Sequence, residues 1–413
     1  MAKVQKIKGF ADLFSDEAAK YTFMESCARE VFSRYGFGEL RTPILEKTEL
    51  FQKSIGEDTD VVGKEMFTFP DRKDRSLTMR PEATAGVVRA FIESKLHQPG
   101  NISKFFTFGP MFRYERPQKG RQRQFHQIDA EIFGADEPQA DAELILMLKA
   151  FLNAIGLTKL TIEINSLGCH DCRPAYKQAL VDYYHSKDKS NFCEDCRRRM
   201  ETNPLRVLDC KVPTCKALVE DAPVITDHLC PDCQAHFADV RAVLDGANVD
   251  YVLNPRMVRG LDYYVRTCFE VTSNDIGSQT AVAGGGRYDG LVRNLGGPDC
   301  PGTGFACGME RLALLLGDVP VDAPDFYLAV VDQEAAVDAM LFAQALRDKG
   351  LTGEVSFSGG SMKSRMRAAN KSGAKTCLIL GGSELANQTV TVKDMVGDRE
   401  QETLDRKLYL ASL

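Results

Sequence analysis

Three features are missing from this sequence, and each absence excludes a class of protein. No apolar run approaches the roughly 20 residues that a membrane-spanning helix needs, which excludes a membrane-spanning protein. The opening stretch MAKVQKIKGFADLF lacks the apolar core of a signal peptide, so we expect a cytoplasmic chain. An excess of positive charge is also missing, since the formal net charge is −6. Any contact with a nucleic acid must therefore use local basic patches.

What is present is typical of a folded globular protein. The chain has 413 residues, 44% of them hydrophobic and 27% charged. That length is sufficient for two or three domains. A stretch rich in proline and aspartate from about Gly317 predicts a domain boundary, and a short β-α-β-α-β pattern follows it. One helix of that pattern carries a candidate nucleic-acid patch, namely Lys363, Arg365, Arg367 and Lys371.

Residues 104–134 predict two strands joined by a basic loop. The strands are expected at about 105–113 and 125–133, and the loop at about 116–124 contains four cations and no acid. In the second strand one face is apolar, whereas Phe125, Gln127, Asp129 and Glu131 share the other. A strand with one apolar face packs that face on a core, so its polar face looks into water or a pocket. The aromatic ring and the adjacent cations favour a pocket for a ligand with an anionic part.

Five separated segments resemble the class II aminoacyl-tRNA synthetases, and within them the bacterial histidyl-tRNA synthetases. The helix before GFGELRTPILE, the hairpin FGPMFRYERPQKGRQRQFHQIDAEIFG and the segment GTGFACGMERL are similar to the three class II signatures. RGLDYYVRTCFEV and AGGGRYDGL are similar to the two signatures of the histidine enzymes. Five motifs in the right order are far more specific than one short pattern. The resemblance covers essentially the whole chain.

The resemblance implies an α/β (α+β) fold with an antiparallel-sheet catalytic core. The core is expected to be discontinuous, at 1–167 and 251–320, around a cysteine-rich helical insertion at 168–250. A small α/β anticodon-binding domain is expected at 326–413. The first motif contains Pro43, which suits an edge strand, and the family resemblance implies a homodimer.

The implied reaction has two steps and uses ATP and Mg²⁺. Histidine is first activated as histidyl-adenylate and is then transferred to the 3′ end of tRNA(His). Activation brings two anions together, and fixed arginines suit that task because they are planar and always charged. The resemblance makes Arg113 and Arg259 the catalytic cations. It assigns ATP binding to Arg113, Glu115, Arg121, Phe125 and Arg311, with adenine stacked between Phe125 and Arg311.

The resemblance also implies a histidine pocket and a tRNA contact. The histidine-binding residues would be Glu82, Thr84, Arg113, Gln127, Glu131, Arg259, Tyr263, Tyr264 and Tyr288. The tRNA acceptor end would meet Arg116, Gln118 and Arg123. One position departs from the family pattern: Ala83 stands where glycine is usual. We expect Ala83 to lie in the first turn of a helix, where alanine is harmless.

Eight of the thirteen cysteines lie between residues 169 and 233. Disulfides are rare in a reducing compartment, so the cluster indicates a metal or a set of reduced cysteines. There are enough thiolates for two tetrahedral zinc sites, and the spacing leaves the grouping open. The candidate structural zinc ligands are Cys169, Cys172, Cys193, Cys196, Cys210, Cys215, Cys230 and Cys233.

Two other functions remain open at this point. The first is a synthetase-like regulatory subunit of histidine biosynthesis, which binds histidine without charging tRNA. Such subunits usually lack the C-terminal domain and the catalytic arginines, whereas this chain has Arg113, Arg259, Arg311 and a C-terminal domain. The second is a nucleic-acid binder with a zinc insert, which leaves the catalytic motifs without a purpose.

Overall fold

The computed structural model describes residues 3–56, 59, 61–98, 100–277, 280–357, 361–397 and 399–413. The chain divides into two compact units, Met1–Val319 and Pro320–Leu413. No helix in the described ranges is long and apolar enough to cross a membrane.

Helices and strands are numbered in chain order within the described residues. The helices of the first unit are α1 (Ser15–Arg34), α2 (Thr48–Ile55), α3 (Thr84–Glu93), α4 (Pro138–Ala154), α5 (Arg173–His185), α6 (Glu194–Thr202), α7 (Pro213–Leu218), α8 (Pro231–Gly246), α9 (Leu291–Asn294) and α10 (Met309–Leu315). Its strands are β1 (Gly38–Glu39), β2 (Leu45–Lys47), β3 (Phe67–Pro70), β4 (Ser76–Met79), β5 (Ser103–Phe112), β6 (Gln124–Phe133), β7 (Thr161–Ser166), β8 (Val252–Leu253), β9 (Val265–Thr272), β10 (Ala281–Arg287) and β11 (Gly302–Gly308).

The second unit contains α11 (Ala336–Asp348), α12 (Met362–Ser372), α13 (Gly382–Asn387) and α14 (Arg406–Ala411), with β12 (Phe326–Val330), β13 (Gly353–Val355), β14 (Thr376–Leu380), β15 (Thr389–Asp394) and β16 (Glu402–Asp405). Its sheet has the order β13-β12-β14-β15-β16. The first three strands are parallel and the last two pairings are antiparallel, which confirms the predicted small α/β fold.

The first unit is built on an eight-stranded sheet with the order β1-β5-β6-β11-β10-β9-β7-β8. Its six central strands pair antiparallel, which confirms the predicted sheet type. β1 lies at one edge, as expected for the first motif, but it ends before Pro43. A smaller sheet, β2-β4-β3, lies elsewhere in the same unit.

The predicted hairpin forms β5 and β6, with Thr107 opposite Asp129 and Phe105 opposite Glu131. The apolar face of β6 is fully buried and packs with residues of α1 and α4 in the main core. Burial of that face holds the register, because a shift of one residue would exchange the apolar and polar faces. The other face of β6 is therefore free to line a site.

The cysteine-rich segment has its own hydrophobic core. Five of the fifteen buried members of that core are cysteines. It is formed mainly by α5, α6 and α7 with short 3₁₀ turns, and α8 then returns the chain to the main core. The predicted limits 168–250 remain a prediction.

The predicted basic patch on α12 is partly wrong. Arg365 is 7% exposed, and its guanidinium donates to Ser356 Oγ (3.1 Å) and to the Val331 carbonyl (3.2 Å). Lys363, Arg367 and Lys371 are exposed and follow one another at intervals of four residues. The surface patch therefore has three cations.

Candidate active site

The polar face of β6 lines an open cavity of about 1160 Å³. β9, β10 and β11 contribute to its floor, α3 and α10 contribute further residues, and residues of the insertion form part of the wall. The cavity brings together all the residues predicted to bind histidine or ATP, namely Glu82, Thr84, Arg113, Glu115, Arg121, Phe125, Gln127, Glu131, Arg259, Tyr263, Tyr264, Tyr288 and Arg311.

Glu131 lies at one end of the cavity and is 2% exposed. Thr84 Oγ1 donates to Glu131 Oε1 (2.7 Å), and the Tyr288 hydroxyl donates to Oε2. Burial raises the pKa of Glu131 to about 8, although both hydroxyl groups oppose this rise. This end of the cavity offers a carboxyl group with two fixed neighbours, which suits a ligand with a ring N–H.

Two glycines of β11 make room for this arrangement. A Cβ at Gly304 would overlap the Glu131 carboxylate, and one at Gly302 would lie 2.4 Å from the Tyr288 ring. Side chains from neighbouring elements can therefore lie flat across the sheet at these two positions.

Glu82 holds the start of α3. Its carboxylate accepts hydrogen bonds from the backbone N–H groups of Thr84 (2.9 Å) and Ala85 (2.8 Å). Ala83, which lies between Glu82 and Thr84, has φ −92° and ψ −33°, which confirms that alanine is unstrained there. Burial raises the pKa of Glu82.

Arg259 approaches the cavity from the segment before β9. Its guanidinium pairs with Glu270 and lies 5.4 Å from the centre of the Tyr264 ring. A Cβ at Gly284 would lie 2.5 Å from Arg259 Nη2, so this glycine creates the space for the guanidinium. The sequence reasoning missed Glu270, which the alternation of β9 could have identified, since Cys268, Glu270 and Thr272 share one face.

Three arginines meet at the other end of the cavity. The pKa of Arg311 is lowered by burial and then by the charges of Arg121 and Arg113. The pKa of Arg121 is also lowered, by burial first and then by Arg113. Like charges held this close are favourable only when an anion neutralises them, so this end of the cavity suits a polyphosphate.

These arginines have partners within the protein. The guanidinium of Arg113 lies 5.4 Å from the Phe125 ring centre. Arg311 donates to the backbone carbonyls of Ala281 (2.5 Å) and Gly120 (3.4 Å). Arg121 forms an ion pair with Glu115. The stacking of adenine between Phe125 and Arg311 stays a prediction.

The residues predicted to meet tRNA lie outside the cavity lining. Arg116 and Gln118 are exposed on the loop between β5 and β6. Arg123 is half-buried, lies 3.8 Å from the centre of the Tyr114 ring and donates to the Glu115 carbonyl (3.2 Å). Arg116 and Gln118 can reach a partner without rearrangement, whereas Arg123 already has partners.

Several buried polar atoms of the cavity have no hydrogen-bond partner among the residues that the structure describes. They are Gln127 Oε1, Arg259 Nε and both carboxylate oxygens of Asp129. Burial raises the pKa of Asp129 well above its usual value, and the charges of Glu131 and Glu82 add to the effect. Unpaired buried groups are costly, and those of a cavity are expected to be paired by a bound ligand. Asp129 has no role predicted from the sequence.

The eight clustered cysteines form two sets of four. One set is Cys169, Cys172, Cys230 and Cys233, and the other is Cys193, Cys196, Cys210 and Cys215. Within each set all sulfur atoms lie within 4.8 Å of one another, and none of these cysteines forms a disulfide. Each set could hold a metal ion. The structure thus shows which four cysteines lie together in each set, which the sequence spacing leaves open.

An antiparallel sheet that carries a cationic polyphosphate end and a buried carboxyl pocket in one cavity is the arrangement of a class II aminoacyl-tRNA synthetase. The histidyl-tRNA synthetase family profile matches residues 9–312, and an anticodon binding domain profile matches residues 325–410. The chain belongs to the histidyl-tRNA synthetase family.

Two curated relatives of this chain are named histidine–tRNA ligase, and one similar solved structure is a histidyl-tRNA synthetase. The histidine–tRNA ligase of Maridesulfovibrio salexigens is 66% identical over 410 residues, which cover 99% of this chain and 100% of the relative. That of Nitratidesulfovibrio vulgaris is 64% identical and covers 100% of this chain and 99% of the relative. The apo histidyl-tRNA synthetase of S. aureus has a similar structure, with a TM-score of 0.81 and 34% identity over 100% of this chain and 99% of that one.

Proposed function

We propose that this chain attaches L-histidine to tRNA(His) in an ATP-dependent reaction through a histidyl-adenylate. The main observation in support is that one cavity contains both a cluster of three arginines and a buried carboxyl group with fixed hydroxyl neighbours. Such a cavity can hold a polyphosphate and a polar ring side by side. The relatives named histidine–tRNA ligase, 64–66% identical over nearly the whole chain, support charging of tRNA over the regulatory alternative.

In the first step, a carboxylate oxygen of histidine attacks the α-phosphorus of ATP. A new P–O bond forms to the carboxylate, the bond to the bridging oxygen breaks, and pyrophosphate leaves. No strong base is needed because the nucleophile is already ionised. Arg113 and Arg259 stabilise the charge that develops, since both are fixed, Arg113 by its bond to the Pro81 carbonyl (2.9 Å) and Arg259 by Glu270.

The substrate is ATP, taken up as its Mg²⁺ complex. Arg121 and Arg311 hold the outer phosphates, and Phe125 stacks on adenine, whose amino group Glu115 orients. Arg121 forms an ion pair with Glu115 in the free protein. This ion pair must break when ATP binds, so that Arg121 contacts a phosphate and Glu115 contacts the adenine amino group.

Histidine is bound at the end of the cavity that contains Glu131. Its imidazole meets Glu131 and Tyr264, with Tyr263 and Tyr288 as neighbours, and its α-ammonium meets Glu82, Thr84 and Gln127. The unpaired Gln127 Oε1 is an available acceptor. A site built on paired hydrogen bonds rejects apolar amino acids strongly, because they leave its buried polar groups unpaired.

In the second step, a ribose hydroxyl at the 3′ end of tRNA attacks the histidyl carbonyl, and AMP leaves. Arg116, Gln118 and Arg123 contact the acceptor end, and the unit after residue 325 contacts the anticodon. The exposed cations of α12 support a nucleic-acid contact on that unit.

We also propose a cytoplasmic homodimer whose insertion binds structural zinc. The exposed apolar side chains Ile44, Leu45 and Phe69, next to or within the small sheet, support a second copy of the chain as partner. Light scattering of the purified protein tests the dimer. The catalytic core keeps the limits 1–167 and 251–320, and the anticodon domain the limits 326–413.

Exchange of labelled pyrophosphate into ATP tests the proposed function. We expect exchange that depends on histidine, and charging of tRNA(His) with the same preparation. Histidine binding without any exchange would assign the chain to the regulatory class instead. Arg198→Ala is a matched control, because Arg198 is exposed on the insertion and its guanidinium pairs with the neighbouring Asp195 (3.4 Å).

A further inference from the structure

We propose that the two cysteine sets are two separate zinc sites with different tasks. The base site (Cys169, Cys172, Cys230 and Cys233) joins the two ends of the insertion. The mouth site (Cys193, Cys196, Cys210 and Cys215) holds a loop of the insertion against residues 259–264, which carry Arg259, Tyr263 and Tyr264. The second task rests on the proposed function, because those residues matter only if the cavity activates histidine.

The sulfur geometry fits tetrahedral zinc. Four thiolates at about 2.3 Å from a zinc ion lie about 3.8 Å from one another. In the base site, Cys169 Sγ lies 3.6 Å from Cys172 Sγ and 3.9 Å from Cys230 Sγ. In the mouth site, Cys193 Sγ lies 3.9 Å from Cys210 Sγ. The sulfurs are thus spaced as zinc requires and are much too far apart for disulfides.

Backbone N–H groups also point at the sulfurs. The Cys230 N–H donates to Cys172 Sγ (3.1 Å), and the Cys193 N–H donates to Cys215 Sγ (3.2 Å). Hydrogen bonds of this kind stabilise thiolates, the form of cysteine that binds metal. The donor set is sulfur alone, which favours zinc over the harder divalent cations.

The size of the insertion explains why metal is needed there. Its core has only fifteen buried residues, and five of them are cysteines. A segment of about 80 residues rarely holds together on so small an apolar core without disulfides or a metal. Two zinc ions would supply the missing stabilisation.

The base site lies where the insertion meets the catalytic sheet. Cys169 and Cys172 follow the end of β7, and Cys230 and Cys233 open α8, which packs into the main core through Phe237, Val240 and Leu244. Arg173, next to Cys172, donates to the Tyr264 carbonyl and to the Leu167 carbonyl (3.4 Å). Metal at the base site therefore fixes both ends of the insertion. It also holds Arg173 in place, and Arg173 supports the segment 259–264 at Tyr264.

The four cysteines of the mouth site flank, in the sequence, a segment of the insertion that reaches the cavity. Between Cys196 and Cys210, Arg206 Nη2 donates to the Gly260 carbonyl (2.7 Å) and to Asp262 Oδ1 (2.9 Å). Arg206 is also part of the cavity wall, together with Lys211 on the following loop and Lys216 in α7. The sequence reasoning did not identify these three residues, because the motifs that carry the resemblance lie outside the insertion.

Arg206 is thus a positioning residue for the histidine pocket. Residues 259–264 form neither a helix nor a strand, so their conformation depends on outside contacts. Arg206 supplies two of these contacts, and the mouth site holds the segment that carries Arg206. Loss of the mouth metal should therefore weaken histidine binding even though no cysteine is among the described residues that line the cavity.

Metal content is the first measurement. Elemental analysis of the purified full chain should find two zinc ions per chain, and one after Cys193→Ser with Cys196→Ser. Cobalt substitution should give the absorption of tetrahedral cobalt thiolate at both sites. Zinc at one equivalent or below in a protein that exchanges pyrophosphate normally would overturn the two sites and leave the proposed function intact.

Histidine affinity and trypsin cleavage are the second measurement. Without the mouth metal, we expect faster cleavage after Arg206, Lys211 or Lys216, and a histidine Kd raised by about tenfold in calorimetry. Arg206→Ala should raise the histidine Kd by a similar factor with both zinc ions retained, which separates positioning from misfolding. Arg198→Ala is the control, with metal content, Kd and cleavage unchanged.

Two results separate this inference from the proposed function. Two zinc ions and the expected changes in histidine Kd, without any pyrophosphate exchange, would support the sites and reject the ligase. Suppose instead that the unaltered chain binds two zinc ions and Cys193→Ser/Cys196→Ser binds one. An unchanged histidine Kd and cleavage pattern in that variant and in Arg206→Ala would then reject the task of the mouth site.

Discussion

Replacement of Glu131 by glutamine should make stability less dependent on pH. Glu131 is fully buried, and its pKa in the folded protein is about 8, against 4.5 for an ordinary glutamate. The folded state therefore holds a proton that the unfolded chain releases between these values. Because this pKa is raised, the contribution of Glu131 to stability is complete below about pH 4.5 and is lost as the pH rises toward 8.

The magnitude follows from the two pKa values. A difference of about 3.5 in pKa corresponds to about 5 kcal/mol of unfolding free energy at high pH. Glutamine resembles the protonated acid but does not titrate. Its Oε1 can accept from one of the two hydroxyl groups, Thr84 or Tyr288, and its Nε2–H2 can donate to the oxygen of the other. The unfolding free energy of Glu131→Gln minus that of the wild type should therefore increase by about 3 kcal/mol between pH 5.5 and pH 8.

Denaturant titrations of both proteins at several pH values measure this difference. Subtracting the unfolding free energy of the wild type from that of the variant cancels the contributions of all other titrating groups. Infrared difference spectra provide a direct check, because a protonated buried carboxyl band should disappear in the variant. Glu93→Gln is the control, since Glu93 is 68% exposed and its replacement should change stability by about 0.5 kcal/mol or less at every pH.

A constant difference across this pH range would refute the reasoning, because it would mean that Glu131 is ionised in the folded protein. The same substitution should weaken histidine binding. Glu131→Gln should bind histidine at least about tenfold more weakly, since the imidazole loses its carboxylate partner. Greater stability together with weaker binding is typical of a group that is kept for function.

Three further predictions concern the cavity. Arg259→Ala should slow adenylate formation by about 10²- to 10³-fold in single-turnover assays and weaken histidine binding much less; equal losses would argue against a role in the transition state. Gly284→Ala should reproduce much of that defect with little change in melting temperature, because its Cβ would meet the guanidinium of Arg259; normal adenylate formation would mean that Arg259 can act from another position. Ala83→Gly should lower stability by about 0.5–1 kcal/mol without changing kcat, because Ala83 is unstrained; a gain in stability would contradict the observed φ.

Local sequence was sufficient for the hairpin and for the polar face of its second strand. The alternation along 125–133 is a property of adjacent residues, so one polar and one apolar face follow directly, and β6 has both. The motif resemblance added residues from distant parts of the chain, and all thirteen predicted histidine and ATP residues line one cavity.

Contacts between distant segments could not be predicted in the same way. Glu131 lies over Gly304 and accepts from Thr84 and Tyr288, and these residues come from four separate elements or connections. The pKa of Glu131 depends on that burial rather than on its neighbours in sequence. The pairing of Arg121 with Glu115 and the inward position of Arg365 likewise depend on packing.

The sequence by itself determined the class of protein, the two faces of β6 and the chemistry of eight thiols in one segment. The resemblance of five motifs gave the class of protein. Local periodicity gave the two faces of β6, and residue type gave the thiols, because both depend on neighbours along the chain. Only the tertiary structure decided which four cysteines share a site and that Arg206 of the insertion contacts the segment with Arg259. The physical reason is that these contacts join residues up to 64 positions apart, and their distances are set by the packing of the elements between them.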